Sequence, residues 1–166
     1  LLLEPVSGTS GNLDSFTGTF TDSLTTTAAN GKTYNTGYNI NVTNSTAPWY
    51  SSRANIKSFR IADGCTIGVN PMASGSTTIT SLSTMFANCA NLMDVDLTGL
   101  NTAQVTDLSG MFFGCTALKS IDVAAISTTA ATTMRMMFAN CHVLETIENV
   151  NFANTMTSDF SWMFAD

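Results

Sequence analysis

The second half of the chain carries a hydrophobic pattern that repeats every 26 residues. Met-Phe pairs begin at positions 85, 111, 137 and 163, and a Cys follows each of the first three pairs at a constant spacing. When many apolar columns share one period, each unit buries its apolar side against the next, as in a repeat array. The columns predicted to form this core ladder are Met85, Phe86 and Cys89, Met111, Phe112 and Cys115, and Met137, Phe138 and Cys141.

Each repeat combines two local patterns. Val95 and Leu97 lie two residues apart, which is the spacing along one face of a strand. The apolar residues from 108 to 115 lie three and four apart, the spacing of a helix, which Gly114 can end with a positive φ. The sequence therefore predicts an α/β fold: a leucine-rich-repeat solenoid in which every 26-residue coil supplies one parallel strand and one short helix.

The period weakens towards the N-terminus, which divides the chain in two. We predict the solenoid over residues 56–166, with 56–84 as a degenerate capping repeat before the regular repeats of 85–166, because terminal repeats are usually atypical. Residues 1–55 contain alternating stretches on either side of Asn30-Gly31, which is a strong hairpin-turn signal. This part is predicted to form a small β-rich N-terminal element.

The segment from Val105 to Val123, with its Met-Phe-x-x-Cys-x-x-Leu core, resembles the repeat of BspA-like leucine-rich-repeat surface proteins. The resemblance covers residues 79–166. It implies an extracellular protein of bacterial, viral or protist origin that binds partners or adheres to surfaces, and it implies no catalysis. The third repeat departs from the pattern because Asn149 stands where Val123 points inward, so we expect a one-residue slip or bulge there.

Composition narrows the possible partners. Charged residues make up 11% of the chain and hydrophobic residues 44%, with a net charge of -6. An acidic chain lacks the basic stripe that nucleic-acid binding requires. No run approaches the roughly 18 apolar residues of a membrane span. Because Thr, Ser and Asn replace the missing charges, we expect an extracellular or cell-surface location, with a virion as the alternative.

The cysteines invite a chemical interpretation that their spacing does not favour. A metal site needs clustered ligands such as Cys-x-x-Cys, and here one Cys occurs per repeat, so no metal or other cofactor is predicted. Buried free thiols are favoured, while a Cys65–Cys89 disulfide stays open. Cys141 and His142 are adjacent, but nothing marks a third group to orient the base. We therefore predict no catalytic residue and no enzyme.

A row of acidic residues shares one phase of the predicted strands, on the face opposite the core. Like charges on neighbouring strands repel each other, so the row invites a basic ligand or a counter-ion. Calcium requires six to eight oxygen ligands, which this row alone does not supply. Either the row is a solvated face or it is a binding face. Its members, called the acidic row below, are Asp94, Asp96, Asp122 and Glu148.

The last residues open a fourth Met-Phe unit and leave an apolar assembly edge. Repeat arrays normally need polar caps at their ends, so we expect this edge to be covered by a neighbouring subunit or by further chain. Its predicted members are Phe160, Trp162, Met163 and Phe164.

Two functions are compatible with these features. The first is a non-enzymatic binding or adhesion module that presents a strand face and Thr/Asn-rich loops to a protein or glycan. The alternative is a structural assembly subunit (a phage fibre, a capsid decoration or an extracellular filament) that contacts copies of itself through the C-terminal edge. A glycan hydrolase would need paired carboxylates in a cleft, which Asp96 and Asp122 on a flat sheet do not form.

Overall fold

The computed structural model describes most of the repeat-bearing half of the chain. The described residues are 2–3, 25–27, 33–35, 50–61, 80–100, 102–151 and 156–166. Most of the predicted N-terminal element, most of the second half of the predicted capping repeat, and Cys65 lie outside them. Within the described part, the strands are β1 (Leu2–Leu3), β2 (Thr25–Thr27), β3 (Thr33–Asn35), β4 (Ser58–Ile61), β5 (Asp94–Val95), β6 (Ser120–Asp122) and β7 (Thr146–Glu148), and a 3-10 helix covers Tyr50–Asn55.

Successive 26-residue segments lie side by side and run parallel. Isolated parallel bridges join Ser81 to Asp107, Asp107 to Thr133, and Thr133 to Asp159. These bridges define unit 1 (81–106), unit 2 (107–132), unit 3 (133–158) and the start of unit 4 (159–166). The strands keep the same offset, since β6 pairs with β7 in parallel through Ile121 and Ile147.

The Met-Phe segments are not helical, which differs from the predicted short helix. Between residues 82 and 89, backbone N–H groups donate alternately to the carbonyl three residues back and to the carbonyl of the next unit, except that Ser83 N donates to the Ser81 hydroxyl at 3.2 Å. The three bonds from the middle of this segment to unit 2 are Thr84 N to Ser109 O at 2.9 Å, Phe86 N to Met111 O at 2.8 Å, and Asn88 N to Phe113 O at 2.7 Å.

The hydrogen bonds explain why turns replace the helix. A helix leaves its first four N–H groups and last four C=O groups without an internal partner, so a segment of this length would leave most of them unpaired. In the turn conformation, every backbone N–H from residue 82 to residue 89 is bonded. Units 2 and 3 repeat the arrangement, because Phe112 N donates to Met137 O and Phe138 N donates to Met163 O, both at 2.9 Å.

Left-handed backbone recurs at two positions in each Met-Phe segment. Only Gly adopts positive φ without strain, and Asn tolerates it better than most residues. Asn88, Gly114 and Asn140 satisfy this preference at the second position, where the sequence predicts positive φ. The positive-φ residues of the four segments are Thr84 and Asn88, Gly110 and Gly114, Met136 and Asn140, and Trp162.

One file of phenylalanine rings runs through the core. The rings of Phe86, Phe112, Phe138 and Phe164 stack nearly parallel, with centroid distances of 5.4, 5.5 and 5.8 Å in chain order. Phe59 from β4 closes the file edge-on against Phe86, at 4.8 Å and 69°. The first three rings of the file are buried, as are Met85, Met111 and Met137 from the same segments.

The first described unit is joined to β4 with a longer offset. Phe59 pairs with Val95, 36 positions later, whereas regular units are 26 apart. The chain between β4 and unit 1 is therefore ten residues longer than the regular period. β1 pairs in parallel with the other edge of β4, so the sheet order is β1-β4-β5.

Asn149 does not shift the register of the third strand. β7 keeps its pairing with β6 through Glu148, so the predicted one-residue slip is not present within the strand. Asn149 instead has a φ of 57° and leaves the strand, exposed to solvent. Its Nδ2 donates to Asp122 Oδ1 at 2.9 Å, which gives this Asn a bonding role in place of the expected inward packing.

Candidate binding surface

The strands bring the acidic row onto one exposed face. Asp122 pairs directly with Glu148, while Asp96 follows β5 at the equivalent position one unit earlier. Arg60 of β4 follows the paired residue Phe59 just as Asp96 follows Val95, and its positive charge helps to lower the pKa of Asp96. All four members of the row are exposed, as is Arg60. The face therefore presents three carboxylates in register, headed by one guanidinium.

Two carboxylates of the row also hold the backbone turns that follow the strands. Asp96 Oδ1 accepts a hydrogen bond from Thr98 N at 2.9 Å, and Asp122 Oδ1 accepts one from Ala124 N at 2.8 Å. Bonds to the ionised form lower the pKa of both carboxyls, with the side-chain bond from Asn149 contributing most at Asp122. Asp96 and Asp122 thus have a structural role, which leaves Asp94 and Glu148 as the carboxylates free of such turns.

A second column of turn-forming residues precedes the Met-Phe segments, and it was only partly anticipated. The side chain at the first position of each unit accepts a bond from the N–H two residues later, which is an Asx-turn or its Ser/Thr equivalent. The signal was a short polar residue at a fixed phase of the repeat. The four bonds are Ser83 N to Ser81 Oγ at 3.2 Å, Ser109 N to Asp107 Oδ1 at 2.8 Å, Arg135 N to Thr133 Oγ1 at 3.3 Å, and Ser161 N to Asp159 Oδ1 at 2.9 Å.

Threonine hydroxyls tie neighbouring units together. Thr106 Oγ1 donates to Thr80 O at 3.1 Å, and Thr132 Oγ1 donates to Thr106 O at 3.0 Å. Thr102, only 2% exposed, donates to Ala125 O at 3.1 Å and accepts from Ser127 N at 2.6 Å. The Thr-rich loops are therefore ordered by the same 26-residue repeat as the core, which gives the candidate binding surface a defined shape.

The C-terminal edge exposes three aromatic rings of its four predicted members. Trp162 is 64% exposed, Phe164 62% and Phe160 39%, whereas Met163 is buried against unit 3. Met156, at 75%, adds an exposed apolar side chain that the sequence did not single out. One face of the Phe164 ring stacks on Phe138, so this edge is the continuation of the core.

The three Cys of the ladder are free and buried. Cys115 Sγ donates to Phe86 O at 3.2 Å, and Cys141 Sγ donates to Phe112 O at 3.1 Å, so each thiol bonds the preceding unit. His142 Nδ1 lies 2.8 Å from Asp166 Oδ1, so Cys141 and His142 have different partners. Among the described residues, no cluster of three or more His, Cys, Asp or Glu could hold a metal ion.

Residues 71–166 match a family model described as Mycoplasma protein of unknown function, DUF285. The chain belongs to this family. The match begins before unit 1 and includes all of the Met-Phe segments, the acidic row and the C-terminal edge, so these features lie within the DUF285 region. No curated protein and no solved structure matches the chain. In the described part of this DUF285 protein, no helix has the length and hydrophobicity to cross a membrane.

The turn-forming carboxylates of this DUF285 chain predict a loss of stability in acid. Hydrogen bonds lower the pKa of Asp96, Asp122 and Asp159 below the ordinary value of about 3.9. A lowered pKa in the folded state stabilises it above the unfolded value, and this contribution is lost as the pH falls through the folded value. We expect the urea midpoint to fall between about pH 6 and pH 3.

The matched variant for this experiment carries Asp96→Asn, Asp122→Asn and Asp159→Asn. Asn keeps an acceptor oxygen for the turn but does not titrate. Its urea midpoint should therefore change less over the same pH interval than that of the unsubstituted chain. An equal or larger change in the variant would contradict the role assigned to these carboxylates.

Burial of the thiols predicts their resistance to alkylation. Burial raises the pKa of Cys141 to about 11 and that of Cys89 to about 12, and it raises the pKa of Cys115 well above its ordinary range. Since the thiolate is the reactive form, a pKa near 11 leaves about 100-fold less thiolate than an ordinary thiol has at neutral pH. In a Cys65→Ser background, we expect no thiol to react with iodoacetamide until urea unfolds the chain, with Cys141 the first to react. Rapid labelling of Cys115 in the folded chain would contradict this.

Proposed function

We propose that this DUF285 chain is a non-enzymatic extracellular binding module, built as a leucine-rich-repeat solenoid of the BspA-like type. The parallel register carries the proposal, because it repeats every 26 residues and places polar side chains in rows on one exposed face. Asp94, Ser120 and Thr146 occupy the first position of β5, β6 and β7. A flat face of this kind suits an extended protein or glycan partner, which can contact several units at once.

The chemistry of the face favours a partner with hydrogen-bond donors or positive charge. The acidic row is exposed, and hydrogen bonds keep two of its carboxyls ionised at neutral pH. The Thr-rich loops beside it are held by bonds between units, so they lose little conformational freedom on binding. The low share of charged residues, 11%, and the abundance of Thr, Ser and Asn support an extracellular or cell-surface location.

The test is a binding screen against extracellular matrix proteins and glycans, followed by variants of the strand face. Asp94→Asn with Glu148→Gln removes two carboxylates that hold no turn, and Asp159→Asn with Asp166→Asn removes the same charge elsewhere. We expect the face variant to lose at least about tenfold in affinity for the captured ligand, while the matched variant keeps it. Equal losses in both variants, or no ligand from either class, would contradict the proposal.

A structural subunit of a virion or an extracellular filament is the second candidate. The exposed aromatic edge at Phe160, Trp162 and Phe164 favours it, since such a patch marks an interaction surface. Sedimentation separates the two candidates, because a binding module stays monomeric where a self-assembling subunit does not. Tail or capsid genes beside its own gene would favour the virion, and a cell-surface anchor would favour adhesion.

A further inference from the structure

The C-terminal edge has a chemical direction. In each Met-Phe segment, one set of carbonyls faces the preceding unit and one set of N–H groups faces the next. In unit 4 the carbonyls of Asp159, Ser161 and Met163 already accept bonds from unit 3, at 2.9, 3.0 and 2.9 Å. No described residue accepts a bond from the N–H groups of Trp162 and Phe164. Along this segment, the edge therefore offers backbone donors and no matching acceptors.

The contacts between units define what fits such an edge. Each unit receives, from the next, a row of carbonyl oxygens at 2.7 to 3.1 Å and a phenylalanine ring at 5.4 to 5.8 Å. Phe164 presents its second ring face at the position where the next ring would lie. An occupant that continues this interface must supply both the carbonyl row and the ring, in parallel orientation.

A second copy of the chain does not meet these requirements in either direction. If two C-terminal edges face each other through their Met-Phe segments, N–H groups meet N–H groups and no hydrogen bond forms. If the C-terminal edge faces the first unit of another copy, Phe164 must stack on Phe86, where Phe59 already lies at 4.8 Å. On the strand side, β4 already covers β5, with Asp96 N donating to Phe59 O at 2.8 Å.

We infer that the C-terminal edge is a docking site for a polypeptide with the same 26-residue repeat, whose Met-Phe segment lies parallel to unit 4 with its carbonyl side towards Trp162 and Phe164. The partner differs from this chain in having no aromatic cap on its first ring. This inference rests on the second candidate function, and it replaces contact between copies by contact with a different repeat-bearing chain. Exposed backbone donors and an exposed ring face are satisfied together only by this class of partner.

The test offers such a segment at high effective concentration. A copy of residues 141–166 is appended after Asp166, which preserves the period, with Met in place of the copied Trp and Trp49→Phe elsewhere. Trp162 is then the one tryptophan, and tethering removes the need for a separately folded partner. The controls are the same appended residues in scrambled order, and the appended copy with Asp in place of its second Phe.

We expect the appended copy to shift Trp162 emission to shorter wavelength and to slow amide exchange at Trp162 and Phe164 at least about tenfold, while both controls leave them unchanged. The unmodified chain should sediment as a monomer at about 100 µM. Equal protection by the scrambled segment, or none by the copy, would overturn the inference. Self-association that Phe164→Ser abolishes would do so as well. Ligand binding by the strand face is measured separately, so its failure is distinguishable from these results.

Discussion

Replacing Phe112 by Ala should lower the free energy of unfolding by about 3–5 kcal/mol. Phe112 is fully buried, and its ring stacks on Phe86 at 5.4 Å and on Phe138 at 5.5 Å. The substitution removes a large apolar side chain from the core and interrupts two aromatic contacts at once, each of which adds about 0.5–1.5 kcal/mol to the effect of burial. Because the units on either side rest on the same ring, little can move in to fill the space.

Urea unfolding of the variant measures this loss, and Phe113→Ala provides a matched control. Phe113 is the next residue in the chain but is only partly buried, and it lies outside the ring file. We expect the control to lose less than about 2 kcal/mol. Similar losses in the two variants would show that the file of rings has no special part in holding the units together.

Replacing Gly114 by Ala should cost about 2–3 kcal/mol. Gly114 has a φ of 70°, and a left-handed backbone costs other residues about 1–2 kcal/mol. A Cβ at this position would also lie 2.7 Å from Asn88 Oδ1, so the Asn side chain must leave its rotamer, at about 1 kcal/mol. The two effects arise from different atoms and can be measured separately.

Gly110→Ala isolates the backbone contribution. Gly110 has a φ of 59°, but a Cβ there would meet its nearest neighbour at an ordinary 3.5 Å. We expect this variant to lose about 1–2 kcal/mol. In an Asn88→Gly background the clash at Gly114 is absent, so Gly114→Ala should then cost no more than Gly110→Ala. If the background does not change the cost, the contact between the two units has no energetic role.

The repeat could be predicted from the sequence because the core accepts few substitutes at its columns. Phe86, Phe112 and Phe138 lie in one file in the structure, and their spacing of 26 residues is directly visible in the chain. Equivalent strand positions were predicted for the same reason, since residues such as Ile121 and Ile147 keep the period through their pairing.

The local backbone of the Met-Phe segments could not be predicted. Apolar residues three and four apart fit one side of a helix, but turns with left-handed residues give the same spacing of buried side chains. The positive φ values of Thr84 and Met136 have no sequence signal, because neither residue favours this conformation. Bonds to the neighbouring unit select the turns, and such bonds are invisible within a single repeat.

The candidate site was predictable in position but not in its hydrogen bonding. The phase of Asp96, Asp122 and Glu148 placed them correctly on an exposed face. Their division into turn-forming and free carboxylates depends on backbone geometry after each strand, and on the unexpected bond from Asn149 to Asp122. The direction of the C-terminal edge likewise follows from the ladder of N–H and C=O groups, which no side-chain pattern encodes.

Nuclear Overhauser effects between the aromatic rings test the central claim most directly. The chain has 10 Phe residues, which ring-selective labelling and single Phe→Leu variants can assign. Stacked units predict cross-peaks from Phe112 to Phe86 and from Phe112 to Phe138, and none between Phe86 and Phe138, which are two steps apart. Cross-peaks that link Phe86 directly to Phe138, or an absence of contacts from Phe112 to both neighbours, would contradict the stacking of successive 26-residue units.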